Sequence, residues 1–387
     1  MVRNHRFEFI LVAGLCLAGS LVGCSGNGTD PMSSSPNLRT GGPGTTVAGG
    51  VKPNLVAPTL STATTETLPV GSAIWVNSQD PGKSLLLATD GIETTGTIQA
   101  FDLDGKPAWK INNLNSPHGI DVQTGVKLGP ESADIVAVAE RSSSKVLFYK
   151  VNPVTGELED ISGRTDVFVG KEGEQKQVVG VSLYHRPDGK LFAFVTPKTS
   201  ADLNGFAQYE VEFKQGKVDL QQTRYFGKSE SKEQSAQILA DDGLGYVYIL
   251  DGKLGVRKYH ADPDAKDANR ELALFANLGF QGERSSLALF ESEPKTGFLL
   301  VSDKFAGGGK VAIFRREGGS GNPHEHLPLA VVTTQGDAVT SLSTTSFPLG
   351  TKFPNGMLTT LNGKSKSFEY FDWGQIASQA NIPAASR

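Results

Sequence analysis

Ser84-Leu85-Leu86-Leu87-Ala88-Thr89-Asp90, followed across a polar turn by Thr97-Ile98-Gln99-Ala100-Phe101-Asp102-Leu103, is the unit from which most of the chain is built. Leu85-Leu86-Leu87 is continuously apolar, as a strand covered on both faces must be, whereas Ala100-Phe101-Asp102-Leu103 alternates as a half-buried strand does. The pair returns at Asp134-Ile135-Val136-Ala137-Val138-Ala139 with Lys145-Val146-Leu147-Phe148-Tyr149-Lys150-Val151. Later copies begin at Lys190 (191–195, then 206–211), at Gly245 (246–250, then 255–259) and at Gly297 (298–302, then 310–314). A sixth begins at Gly356 and runs into Phe368-Glu369-Tyr370-Phe371.

The copies start 50 to 59 residues apart, which fits about four strands and their turns. Asp104-Gly105, Asp188-Gly189, Asp242-Gly243 and Asn362-Gly363 supply tight-turn dipeptides, and no amphipathic helix of useful length competes. The reading is all-β: a six-bladed β-propeller over 68–387. Each blade is a small sheet that only its neighbours can cover, so the ring must close. Function is expected at the central channel, where all blades deliver side chains to one axis.

Outward from the repeat, the amino terminus has an export signature. Arg3 and Arg6 precede an apolar run ending in Leu21-Val22-Gly23-Cys24, the spacing of a lipobox. A signal peptide over 1–23 and lipidation of Cys24 follow as expectations. The run is short and glycine-broken, against the ~18 or more apolar residues that a membrane span needs. The other of the two cysteines, Cys16, lies in the discarded segment, so the mature chain can form no internal disulfide. Residues 24–67 are rich in Gly, Ser, Thr and Pro and read as a flexible tether. The protein is thus expected at the cell envelope, anchored to the membrane by lipid, at the outer membrane or cell surface, as a monomer. Net charge is −4, becoming about −5 when Arg3, Arg6 and Glu8 are removed, and no basic tract is present. No nucleic-acid partner is expected.

Ala73-Ile74-Trp75-Val76 with Asp80-Pro81-Gly82-Lys83-Ser84-Leu85 resembles the opening of the β-propeller phytases. Further segments resemble that family in the right order: Asp102-Leu103-Asp104-Gly105-Lys106, Ser182-Leu183-Tyr184-His185, Ala240-Asp241-Asp242, Leu349-Gly350 with Lys352-Phe353-Pro354, and Trp373 with Gln375-Ile376-Ala377. The resemblance covers nearly all of 70–380. It implies a calcium-dependent phytase, a phosphoric monoester hydrolase acting on phytate or other inositol phosphates. Carboxylates around the channel would hold calcium, a hard cation with many oxygen ligands. Bound metal would stabilise the transferring phosphoryl group and lower the pKa of coordinated water.

Several of the family's acidic positions are changed. The paired aspartates before Ala-Ile-Trp are Val70 and Gly71, and a glutamate-bearing segment is Ser235-Ala236-Gln237. Glu283-Arg284-Ser285-Ser286-Leu287 keeps one acid of two, Ala338-Val339-Thr340-Ser341-Leu342-Ser343 keeps none, and tandem lysines are Ile92-Glu93-Thr94-Thr95. What the resemblance leaves is Asp121, Asp251 and Glu283 as metal ligands and Arg141 and Lys198 as phosphate-binding groups. The residues involved in catalysis are not specified. Each has an ordinary reading too: Asp121 as a turn cap, Arg141 and Lys198 as solvated loop charges, Asp251-Gly252 as a hairpin turn.

His118 and His324-Glu325-His326 are the histidine features near acids. The His-x-His pair lies beside Gly318-Gly319-Ser320-Gly321 with no third zinc ligand evident. Three function classes remain: a phytase-like phosphomonoesterase; a non-catalytic envelope propeller binding a polyanion, glycan or protein; and another propeller hydrolase such as a lactonase, whose compact metal site these residues do not assemble.

Overall fold

Burial on both faces of the same strand is what makes the repeat close. The computed structural model describes residues 54–200, 204–227, 237–305, 308–334 and 340–384; Cys24 and the signal segment lie outside the described residues. The fold is a six-bladed β-propeller. Two short strands, β1 (Asn54–Val56) and β2 (Leu60–Ser61), come first. Blade 1 is β3 (Gly71–Trp75), β4 (Leu85–Thr89), β5 (Gly96–Phe101) and β6 (Pro107–Leu114). Blade 2 is β7 (Pro117–Leu128), β8 (Glu131–Glu140), β9 (Lys145–Val151) and β10 (Leu158–Asp160). Blade 3 is β11 (Val178–His185), β12 (Leu191–Pro197), β13 (Phe206–Lys214) and β14 (Lys217–Phe226). Blade 4 is β15 (Ile238–Asp241), β16 (Tyr246–Asp251), β17 (Gly255–His260) and β18 (Ala273–Phe275). Blade 5 is β19 (Glu283–Glu293), β20 (Thr296–Phe305), β21 (Gly308–Arg315) and β22 (Pro328–Thr334). Blade 6 takes β23 (Thr340–Thr345), β24 (Met357–Asn362) and β25 (Ser367–Asp372) from the end of the chain.

The fourth strand of blade 6 comes from the other end of the chain. β2 pairs antiparallel with β25, Leu60 opposite Tyr370 and Ser61 opposite Glu369, and β1 adds a fifth, parallel strand to blade 5 beside β22. The expected start of the domain at Leu68 is corrected by this: residues from Asn54 on belong to the folded unit. Their composition reads as tether because so short a strand carries too little apolar periodicity to register.

The quoted strand pairs of the sequence are the second and third strands of each blade. Six apolar clusters fill the six gaps between blades, and the second strand divides its side chains between two of them. In β4, Leu85 and Leu87 face blade 2 with Ile120, Val136 and Val138, while Leu86 and Ala88 face blade 6 with Met357, Leu361 and Phe368. That is why the run is apolar at every position. A short helix, α1 (Trp373–Ala380), follows β25, and its Trp373 ring stacks on Phe290 at 3.7 Å. Eight residues are too few for helical periodicity to stand out in the sequence.

The first strand of each blade lies innermost. β3, β7, β11, β15, β19 and β23 each touch the next, and β23 touches β3, closing the ring around the channel.

Candidate functional site

The six innermost strands enclose a cavity of about 1140 Å³. Their beginnings lie together at one mouth: a Cβ on Gly71 would meet the His118 carbonyl at 2.4 Å, and one on Gly119 would meet the Val179 carbonyl at 2.8 Å. Glycine is required there because neighbouring backbones approach so closely. Since the second strand of each blade runs antiparallel to the first, its end returns to this same mouth. Glu140 stands opposite Pro117, Pro197 opposite Val178, and Lys304 opposite Glu283.

Among the described residues, four cations reach the cavity from that position. Arg141 follows β8, Lys198 follows β12, Lys253 lies two residues beyond β16, and Lys304 is next to last in β20. They come from four consecutive blades. Arg141 is held by His118: its Nη1 lies 3.3 Å from Nε2 of His118, whose Nδ1 lies 3.0 Å from the Ser116 carbonyl. As the guanidinium can only donate, Nε2 accepts and the proton sits on Nδ1. Burial lowers the pKa of His118, which agrees with a neutral ring. Arg141 also lies 3.4 Å from Glu93, and Lys198 donates to Glu174 at 2.5 Å. Both glutamates are exposed at the rim, where such pairs contribute little and exchange readily.

The expected metal ligands have different settings. Asp121 lines the cavity, but its carboxylate accepts from the Ser182 hydroxyl and the Leu183 and Val122 amides, each at 2.8 Å. It ties β7 to β11. Burial raises its pKa. Glu283 lines the cavity at the cationic mouth, opposite Lys304. Asp251 is not among the lining residues; it is buried with its carboxylate 3.6 Å from Arg257, and it caps the turn before Leu254.

Where the resemblance leads one to look for acids, hydroxyls and amides are knitted across blades. Ser72 Oγ lies 2.7 Å from both Ser341 and Ser343, and Gln237 Oε1 accepts from the Ser286 hydroxyl at 2.9 Å and from the Leu287 amide. Ser235, Ala236, Ala338 and Val339 lie outside the described residues. Among the described residues, no three His, Cys, Asp or Glu side chains converge as a metal site would need. Among the described residues the donor set does not fit calcium, which takes six to eight oxygens.

The opposite mouth carries acids. Asp242 accepts from the His185 amide at 2.9 Å and Gln123 Nε2 at 3.0 Å, and burial raises its pKa to about 7. Glu291 also lines the cavity and accepts from Arg316 at 2.7 Å. Asp241, next to Asp242 in sequence, is fully buried against Arg316 and is a structural ion pair. His324 and His326 lie away from the cavity. The His326 ring stacks on Phe275 at 4.4 Å, and its Nε2 accepts from Lys258 at 3.2 Å.

Four of the five expected site residues, Asp121, Arg141, Lys198 and Glu283, thus line one cavity. Lys253 and Lys304 escaped the sequence reading. Their signal was their phase within the repeat, just past or at the end of the second strand, where Arg141 and Lys198 also fall.

A family model described as Phytase matches residues 53–381. A similar protein, the 3-phytase of Bacillus subtilis (strain 168), is 27% identical over 344 residues, covering 82% of this chain and 84% of its own. A solved structure, the α-L-arabinofuranosidase Arb93A of Fusarium graminearum, has a TM-score of 0.53 at 12% identity, covering 86% of this chain and 100% of that one. That likeness is one of fold alone.

Proposed function

The chain belongs to the phytase family, and its function is phytase-like at that level; on this premise we propose that the cationic mouth receives inositol phosphates at Arg141 and Lys198, and that binding outlasts turnover. The observation that carries this reading is the pairing of cations on one mouth with neutral serine and glutamine knots where carboxylates would hold metal. Charge-assisted contacts to phosphate need no metal ion. Hydrolysis is more demanding, because phosphate esters are among the slowest bonds to break and their transition states need strong electrostatic stabilisation. Arg141 supplies a planar fork of donors suited to two phosphate oxygens, and His118 orients it. Lys198 adds a point charge.

Phytate titrated calorimetrically into the protein should bind, and Arg141→Ala should weaken that binding tenfold or more. Phosphate release from phytate with calcium present should stay close to background. Robust release that disappears in Arg141→Ala would replace this reading with a working phosphomonoesterase.

A further inference from the structure

Arg141, Ser116 and His118 close a ring of hydrogen bonds at the cationic mouth. The Ser116 carbonyl accepts from the Arg141 amide at 3.0 Å and from His118 Nδ1 at 3.0 Å, and His118 Nε2 accepts from Arg141 Nη1 at 3.3 Å. Ser116 is fully buried and is held by its own amide on the Ile92 carbonyl at 3.0 Å and its hydroxyl on the Gly91 carbonyl at 2.7 Å. Gly91 leaves room for the ring, since a Cβ there would meet His118 Cε1 at 3.1 Å. The other terminal nitrogen of Arg141, Nη2, faces Glu93 at 3.4 Å, a side chain 70% exposed against 19% for the arginine. Among the described residues, the other charges acting on the ring are Lys198, of the same sign as Arg141, and Asp90. The Asp90 carboxylate accepts from the Ile92 and Thr97 amides at 3.2 and 2.9 Å and from the Thr67 and Thr97 hydroxyls at 3.1 and 2.9 Å. With four donors it is already satisfied.

We propose that the neutral His118 ring is the positioning residue that aims Arg141 into the channel, and that protonation of the ring sends the guanidinium to Glu93 and weakens the mouth's hold on phosphorylated ligands. This rests on the reading of Arg141 as a phosphate-binding group and adds the condition under which it serves. A protonated ring donates from both nitrogens and has nothing left to offer Arg141. Two positive groups would then face one another at hydrogen-bond distance, in a partly buried site where water screens them little. The ring stays tied to Ser116 through Nδ1, whereas Arg141 has a carboxylate within reach, so it is the guanidinium that moves. Its departure to the rim takes from the channel the planar fork of donors that suits a phosphate. Burial, with the charges of Arg141 and Lys198, holds the ring's pKa below its ordinary 6.5, so the change falls on the acid side of that value.

Calorimetric titration of the protein with phytate, from about pH 7.5 down to about pH 4.5, tests this with His118→Gln beside the wild type. Glutamine keeps an amide oxygen for Arg141 at every pH, and the ratio of the two affinities cancels the protonation of phytate and of every group the two proteins share. At the upper pH the two should bind within about threefold of one another. At the lower pH the wild type should be at least about fivefold weaker than His118→Gln, and Glu93→Gln should remove most of that loss. A ratio that stays flat, or one in which the wild type gains on acidification because the ring charge itself serves the ligand, overturns the inference while leaving Arg141 and Lys198 as they stand. An acid loss undiminished in Glu93→Gln overturns it as well. If His118→Gln lowers the melting temperature, the ring of the wild type is followed by NMR instead: its titration midpoint should rise in Arg141→Ala, and an unmoved midpoint overturns the coupling. Absence of phytate binding at every pH overturns the proposed function and this inference together.

Discussion

At the scale of single residues, burial shifts the pKa values of Asp242 and His326 in opposite directions over the same pH range. Burial raises the Asp242 carboxyl from its ordinary 3.8 to about 7, so the folded state holds that proton more tightly than the unfolded chain. The stability this contributes is full below about pH 3.8 and is lost as pH rises through 7. Burial lowers His326 from 6.5 to about 4, helped by the nearby Lys258 charge. Its contribution is full above pH 6.5 and is lost as pH falls through 4. The His118 ring, lowered in the same sense, adds to this second effect. Between pH 4 and 6.5 the two slopes oppose each other. Asp242→Asn should therefore leave stability rising with pH across this range, and His326→Gln should leave it falling, each by about 2 kcal/mol relative to the wild type. Urea midpoints at pH 4, 5.5 and 7 read this out, and variants whose profiles run parallel to the wild type would show that neither group titrates as described.

At the scale of elements, the ring is latched by its own amino-terminal strand. Around β2, the Thr59 amide donates to the Tyr370 carbonyl at 2.7 Å, the Thr62 amide to Phe368 at 2.8 Å and the Thr65 amide to Lys366 at 2.8 Å. Each such bond contributes on the order of 1 kcal/mol net, and they join chain ends that are otherwise separate in sequence. A chain beginning at Asn54 should keep full stability, whereas one beginning at Leu68 should lose at least about 3 kcal/mol in chemical denaturation. Equal stability of the two would mean that blade 6 closes without β2. The second strands differ from the latch in being plain in the sequence. Leu85, Leu86 and Leu87 announce β4 because neighbouring blades cover both its faces, and burial of both faces leaves no polar positions to interrupt the run.

At the scale of the whole molecule, the charge of the channel is divided. Among the described residues, one mouth presents Arg141, Lys198, Lys253 and Lys304 beside the single carboxylate of Glu283, the other Asp242 and Glu291, although the chain as a whole carries a net charge of only −4. A ligand at the channel meets the local field at the mouth rather than the net charge of the chain. The anchoring expected at Cys24 is a second whole-molecule property, and we propose that lipid at this position holds the propeller at the cell envelope. Cys24→Ser should release the protein from membranes while leaving its melting temperature unchanged. A Cys24→Ser protein still processed and membrane-bound would exclude the lipid anchor.

The sequence by itself determined the propeller, the number of blades and the family, because these are written in patterns that persist over the chain: a repeat near 50 to 60 residues, strands apolar at every position, and collinear segments such as Ser182-Leu183-Tyr184-His185. Arg141, Lys198, Asp121 and Glu283 were legible as channel residues through the resemblance, but what each carboxylate or cation touches was not. Whether Asp121 is available or held by three donors, whether Asp251 faces the channel or Arg257, and whether Lys253 and Lys304 share a cavity with Arg141 were decided only by the tertiary structure. The physical reason is that strand periodicity is a local property of a few neighbouring residues, whereas a site at the propeller axis is assembled from positions about fifty residues apart, whose burial and partners exist only once the ring has closed.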